Sequence, residues 1–230
     1  MATTNKVFID IITQFTGINN VKAAESALDS LKSTLGKLGV GLAITDVIKQ
    51  SVDAFKAESA AVAQLDNSLR NLGTTYAQFQ PIYEKQLKSF NNLGFSDTET
   101  LQSISKLTVA LGNPAQALKV LGITADLART NQIGLAESAT LVSKAVAGNS
   151  RAFASLGLKI DKNLTPLNAF NKLLSQANAK VGGAAKAYST TLGGALDVMR
   201  AKADHAKAVL GQALAPTITK LADRKSTRLN

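Results

Sequence analysis

A histidine beside an aspartate is one residue pair in this chain that could take part in catalysis. His205 directly follows Asp204, and a side-chain pair of this type can move a proton in general acid–base catalysis. The pair lies in a segment with a helical pattern, and adjacent positions of a helix do not face each other. We therefore expect His205 to be a surface histidine.

Glu-Ser dipeptides are a second possible source of chemistry. They resemble the Glu-Ser pair of lytic transglycosylases, but the other motifs of those enzymes, such as Gly-Leu-Met-Gln, do not occur in this sequence. Without those motifs the dipeptides do not predict a hydrolase site. They are Glu25-Ser26, Glu58-Ser59 and Glu137-Ser138.

The residue patterns predict neither a cofactor site nor a metal site. Gly36-Lys37 has Leu31 where a phosphate-binding loop needs its first glycine, and Leu38 where that loop needs a hydroxyl. The chain has no cysteine and one histidine, which argues against a disulfide framework and against thiolate or histidine-rich metal sites. We therefore expect a protein that is not an enzyme and that uses no cofactor.

The composition favours a helical core of small and aliphatic side chains. Aromatic residues make up 5% of the 230 residues and tryptophan is absent, so Leu, Ile, Val and Ala must fill the interior. Alanine-rich interiors suit closely packed helices better than a β-sandwich. The mostly apolar run at residues 38–48 contains Asp46 and is well short of the roughly 20 residues that span a bilayer. We expect a soluble protein that is made in the cytoplasm.

Helix start and stop signals are densest in residues 94–160. Ser96 with Glu99 three residues later is a capping box, so a helix should begin between them, and Gly112 should end it. Asn113 and Pro114 should begin the next helix as its N-cap and first helical residue. Helices this short are marginal alone in water and must pack against each other. Their predicted buried positions include Leu101, Ile104, Leu107, Ala117, Leu121, Ala125, Val142 and Phe153.

Two elements are predicted before residue 44. The β-branched run at residues 6–15 indicates one short strand. Apolar residues then recur in alternating steps of three and four, which is a heptad seam typical of a coiled coil. The seam indicates either self-association of the chain or an intramolecular hairpin with a helix at residues 44–72. Its residues are Val21, Ala24, Leu28, Leu31, Leu35, Leu38 and Leu42.

The predicted fold class is all-α, a multi-helix bundle with long helices and one short N-terminal β-strand. Thr75 with Gln78 should begin one further helix and Thr165-Pro166 another, and a last long helix should run from residue 184 until Pro216 stops it. Residues 181–196, which are rich in Ala, Gly, Ser and Thr and low in charge, are open to a second interpretation as a flexible joint. The predicted domains are residues 1–43 (strand and seam helix), 44–180 (helical core), 181–222 (long helix) and 223–230 (a non-native tail).

A non-native tail is predicted at residues 223–230, and it changes the net charge of the natural chain. Residues 223–230 match the translation of a common sequencing adapter, so we expect the natural chain to continue beyond about residue 222. They carry three positive charges and one negative, and without them the net charge of +10 becomes +8. The remaining basic residues are spread along the chain, as is typical of solvated helix faces.

Three segments resemble, in the expected order, the N-terminal core of phage tail tape measure proteins. The first is FKAESAAVAQLDNSLRNLG at residues 55–73, and the last is GGAAKAYSTTLGGALDVMRAKADHAKAVLGQALAP at residues 182–216. Between them lie Phe95-Ser96-Asp97, LGITADLA at residues 121–128 and SKAVAGN at residues 143–149. The resemblance implies a scaffold and length ruler for tail assembly that is later ejected ahead of the DNA.

The resemblance also implies partners and a location. The partners would be the tail tube protein, tail assembly chaperones, baseplate or tail tip proteins and further copies of the chain, in the lumen of the virion tail after synthesis in the host cytoplasm. The sequence also leaves two other classes of protein open. A basic helical nucleic-acid-binding protein would explain the positive charge. The N-terminal part of a virion-associated cell-wall hydrolase would carry its catalytic domain elsewhere.

Overall fold

Helices account for the regular structure of the residues that the computed structural model describes, which are 44–159 and 166–227. This part of the chain contains no strand, so the all-α class is confirmed for it. The strand predicted at residues 6–15, the seam at 21–42 and the last three residues of the tail lie outside it. In chain order the helices are α1 (Ile44–Arg70), α2 (Tyr76–Asn91), α3 (Asp97–Leu111), α4 (Pro114–Asn131), α5 (Leu135–Val146), α6 (Ser150–Ser155), α7 (Pro166–Val181), α8 (Ala184–Ser189) and α9 (Leu192–Thr227).

Local capping signals set the ends of the central helices as the sequence predicts. The Ser96 hydroxyl accepts a hydrogen bond from the backbone N–H of Glu99 at 3.3 Å, and α3 begins between them. Gly112 ends α3 in the left-handed conformation, with φ +59°. The Asn113 side chain then accepts from the N–H of Gln116 at 3.1 Å, and Pro114 opens α4. Each of these signals acts within one helical turn, which is why the sequence reveals it.

The described residues form two compact units. One comprises residues 60–201 and is called the core unit here. The other, the terminal unit, combines the described residues up to Ser59 with those from Lys202 onwards. The domain boundaries predicted from the sequence stay a prediction.

The interior of the core unit is built from α3, α4 and α5, with α3 in the most extensive contact with α5 and α4. The apolar positions predicted for these helices are buried, and burial of each leucine contributes about 1.5–3 kcal/mol relative to exposure. Alanines on α4 and α5 allow the backbones to approach closely. Fully buried residues of these helices are Leu101, Ile104, Leu107, Ala117, Leu121, Ala125, Ala139 and Val142, and Phe153 of α6 is also fully buried.

The structure differs from the prediction in the last part of the chain, and one exposed apolar residue shows how α2 is rotated. On α2, Ile82 is 48% exposed, while the next residue, Tyr83, is fully buried and its ring stacks on those of Tyr76 and Phe79. Aromatic stacking along one face therefore sets the rotation of α2. The helix predicted from residue 184 is not continuous, because Thr190 and Thr191 separate α8 from α9. Pro216 does not stop α9, which continues to Thr227. A proline inside a helix costs about 3 kcal/mol, which a helix of 36 residues can tolerate.

In the terminal unit, α1 and α9 meet backbone to backbone. Gly211 of α9 is buried, and a Cβ atom added to it would overlap the carbonyl oxygen of Ser51 on α1. Val47 and Ser51 on one helix and Leu214 on the other are also buried. A side chain at position 211 would therefore push the two helices apart.

Candidate functional site

Arg129, in the last turn of α4, contacts several parts of the core unit. Its Nη2 donates to the carbonyl oxygens of Leu93 and Gly94, both at 3.0 Å, and its Nη1 donates to Asp197 Oδ2 at 3.1 Å. Leu93 and Gly94 belong to the turn before α3, whereas Asp197 lies in α9. One planar guanidinium with five N–H donors therefore joins three parts of the core unit.

Two aromatic rings enclose the same guanidinium. Its central carbon lies 4.1 Å from the centre of the Phe95 ring and 4.5 Å from that of Tyr188, distances at which a cation is attracted to a ring face. The Tyr188 hydroxyl also donates to Asp197 Oδ2 at 3.0 Å. The Arg129 side chain is only 15% exposed, so these contacts are made largely away from water. Together they order the residues that join α8 to α9.

Glycine is required where this cluster meets the turn before α3. Gly94 has φ +82°, in the left-handed region that favours glycine, and an added Cβ would lie 2.8 Å from Asp197 Cβ. That separation is well below van der Waals contact. The close fit places the start of α9 directly against the turn.

Asp126, one turn before Arg129 on α4, holds the start of α8. Its Oδ2 accepts from the N–H of Gly183 at 3.0 Å, and its Oδ1 accepts from that of Ala185 at 2.8 Å. A carboxylate at a helix start satisfies free N–H groups and complements the helix dipole. Asp126 and Arg129 lie three residues apart and so share one face of α4. We call this pair of side chains the α4 anchor.

The α4 anchor is a junction between helices of the core unit. It ties α8 and the first turns of the longest described helix to the middle of the core unit. Most of the segment at residues 181–196, which was open to interpretation as a flexible joint, is helical, and the N–H groups of Gly183 and Ala185 are bonded to α4. Sequence reasoning missed this site, since Arg129 and Asp197 are 68 residues apart and no local pattern links them.

The residues considered for catalysis are not assembled into a site in the described part of the chain. Asp204 pairs with Lys207 at 3.1 Å, and His205 lies exposed on α9. The buried Ser138 hydroxyl donates to the carbonyl oxygen of Thr124 at 2.8 Å, whereas its neighbour Glu137 is exposed. Glu25-Ser26 and the seam from Val21 to Leu42 fall outside the described residues, so self-association stays a prediction.

The described residues contain neither a candidate metal site nor a helix that could span a membrane. No group of three or more His, Asp and Glu side chains within residues 44–159 and 166–227 is placed to hold a metal ion. Within the same ranges, every helix is too short or too polar to cross a bilayer.

Two depressions in the surface of the core unit are large enough to receive a small group. A cavity of about 350 Å³ lies between α1, α3 and α5, and includes Lys106, Thr140 and Lys144 in its wall. A groove of about 580 Å³ lies between α4 and α7 and includes Gly122. A Cβ added to Gly122 would meet nothing within 4 Å, so packing within the described residues does not require a glycine there.

Comparison of the chain with protein-family models, with curated proteins and with solved structures gives no match.

Proposed function

We propose that this chain is a phage tail tape measure protein, a structural protein that serves as scaffold and length ruler during tail assembly and is later ejected ahead of the DNA. The observation that carries the proposal is the order of the three segments at residues 55–73, 95–149 and 182–216 that resemble that family. The proposed role is not enzymatic.

The architecture is in keeping with this role. A ruler converts residue number into length, and an α-helix does so at about 1.5 Å per residue. The longest described helix, α9, has 36 residues. A ruler also needs a firm junction between its rod and its head, and the α4 anchor supplies one between α9 and the helices around α4.

The proposal includes partners and a location. We propose that the chain contacts the tail tube protein, tail assembly chaperones and baseplate or tail tip proteins, and that it lies in the tail lumen of the virion. We also propose that copies associate through the seam from Val21 to Leu42, because a heptad repeat of this kind buries its apolar stripe between helices.

Lengthening the chain tests the ruler directly. An in-frame duplication of the codons for residues 192–222 of α9 in the phage gene adds 31 helical residues, which should lengthen the tail by about 47 Å at 1.5 Å per residue. Tail lengths would be measured by electron microscopy of intact virions. Silent recoding of the same codons is the control and should leave the length unchanged. Virions with duplicated codons and tails of the original length would contradict the proposal.

Self-association has a separate test. The full chain should sediment with a mass that rises with protein concentration, and Leu28→Asp together with Leu35→Asp should abolish that rise because both charges would enter the seam. The double variant Ser30→Asp and Ser33→Asp, outside the seam, is the matched control. A monomer at every concentration would remove the coiled coil and leave the hairpin.

A further inference from the structure

The cavity between α1, α3 and α5 holds a lysine whose position is already ordered. Lys106 extends from α3 to α5, where its Nζ donates to the carbonyl oxygen of Ala136 at 2.9 Å and to the Thr140 hydroxyl at 2.8 Å. A lysine ammonium has three donors, and these two bonds leave one without a partner among the described residues. A ligand would meet a cation whose side-chain freedom has already been restricted.

The charge of Lys106 is not neutralised by its hydrogen-bond partners or by the wall of the cavity. Both partners of Lys106 are neutral, and the described side chains in the wall of the cavity include no carboxylate. Lys144 adds a second positive charge from the turn of α5 that follows Thr140. The cavity therefore attracts an anion.

Hydroxyl groups and apolar surface complete the wall. Ser68 and Ser105 face each other with their oxygens 2.9 Å apart, and each hydroxyl can both donate and accept. Val109, on the rim, is 67% exposed, and its neighbour Ala110 is also exposed. A group that fills the cavity would thus meet positive charge, hydroxyl groups and methyl groups.

From this arrangement we infer that the cavity is a binding site for a carboxylate carried on an aliphatic group. The carboxylate accepts a hydrogen bond from the remaining N–H of Lys106 and is attracted by Lys144, while the aliphatic part covers Val109 and Ala110. Such a group comes either from a free aliphatic acid or from a glutamate on an apolar segment of a partner protein. The inference does not depend on the tape measure proposal.

Hexanoate is the probe that tests the site in the full chain. Nuclear magnetic resonance of protein labelled at its Val and Ala methyl groups should show saturable shifts at Val109 and Ala110 as hexanoate is added. Hexylamine, with the same tail and the opposite charge, should produce none. Absence of saturable shifts with hexanoate, or equal shifts with hexylamine, would overturn the inference.

Lysine substitutions show whether the charge is responsible. Lys106→Met keeps most of the stem and removes the ammonium, and should weaken hexanoate binding by about tenfold or more, since a charge-assisted hydrogen bond is lost. Lys144→Met should weaken it about threefold through the loss of one nearby charge. Lys119→Met, on α4 and outside the cavity wall, makes the same change in net charge and should have no effect.

The Lys106→Met variant needs a control for folding. Circular dichroism establishes whether Lys106→Met is folded. If it is not, Lys144→Met carries the test, because that side chain is exposed and no described contact depends on it. Unchanged affinity in a folded Lys106→Met, or in Lys144→Met, would overturn the inference.

The two sources of the carboxylate are distinguished with peptides. Acetyl-Leu-Glu-Leu-amide binding more tightly than hexanoate, with its Gln counterpart not binding, supports a partner side chain. The reverse order supports a free acid. Inorganic phosphate binding as tightly as hexanoate, with the same dependence on Lys106, would overturn the assignment to a carboxylate.

Discussion

The carboxylate of Glu99, in the first turn of α3, accepts a hydrogen bond from the backbone N–H of Leu135, the first residue of α5. The N-cap of α5 is Gly134, which has no side chain to satisfy that N–H. A Cβ added to Gly134 would lie 3.2 Å from Glu99 Oε1, so the absence of a side chain also makes room for the carboxylate. The start of α5 is therefore capped by α3 rather than by its own sequence.

Glu99→Ala should lower the free energy of unfolding by about 1–2 kcal/mol, because a helix cap is lost and a backbone donor is left unpaired. Glu137→Ala removes the other carboxylate near the start of α5. Since Glu137 is exposed, its loss should cost only about 0.5 kcal/mol through the helix dipole. Urea unfolding followed by circular dichroism measures both. Equal losses would show that the Glu99 cap contributes nothing of its own.

Asp197 pairs with two arginines of very different exposure, which allows an internal comparison. The Arg129 side chain is 15% exposed and that of Arg200 is 78% exposed. A double-mutant cycle of Arg129→Met with Asp197→Asn should give a coupling energy of about 1–2 kcal/mol. The same cycle with Arg200→Met should give less than about 0.5 kcal/mol, because water screens an exposed pair. Similar coupling in both cycles would contradict the importance given to the α4 anchor.

Two helical glycines should respond to alanine in opposite directions. Gly122→Ala should raise the free energy of unfolding by about 0.5–1 kcal/mol, since alanine favours the helix and its Cβ meets nothing within 4 Å. Gly211→Ala should lower it by about 1–3 kcal/mol, because the Cβ would overlap the carbonyl oxygen of Ser51. Thermal unfolding followed by circular dichroism measures both. A stabilising Gly211→Ala would show that α1 and α9 are not in close contact there.

Tyr83 should make stability depend on pH in the alkaline range. Burial raises its pKa to about 12, and the nearby Tyr76 adds to the effect. In the unfolded chain the pKa is near 10, so the unfolded state loses this proton first as the pH rises. The contribution of protonated Tyr83 to the free energy of unfolding is fully present below about pH 10 and is lost by about pH 12. A pKa shift of this size corresponds to roughly 2–3 kcal/mol.

Tyr83→Phe isolates that contribution from the titration of the lysines. Below pH 9 the variant should be as stable as the wild type or slightly more stable, because the buried hydroxyl finds no hydrogen-bond partner among the described residues. Above pH 10 the wild type should lose stability relative to the variant. Denaturant unfolding of both proteins from pH 8 to 11.5 provides the comparison. A stability difference that stays constant over this range would rule out the raised pKa.

The sequence by itself determined the central helix boundaries. Ser96, Gly112 and the Asn113-Pro114 pair act on backbone groups no more than four residues away, so their effect can be derived without knowing the fold. The apolar spacing likewise determined which faces of α3 and α4 are buried. Both kinds of signal depend on the geometry of a single helix.

Only the tertiary structure decided how the helices are joined. The capping box predicted for Ser96 and Glu99 is half right: the hydroxyl caps α3, but the carboxylate is used by Leu135, 36 residues away. Arg129 and Asp197 meet across 68 residues for the same reason. A charged side chain with several donors or acceptors has many possible partners along the chain, and packing alone selects which of them it reaches.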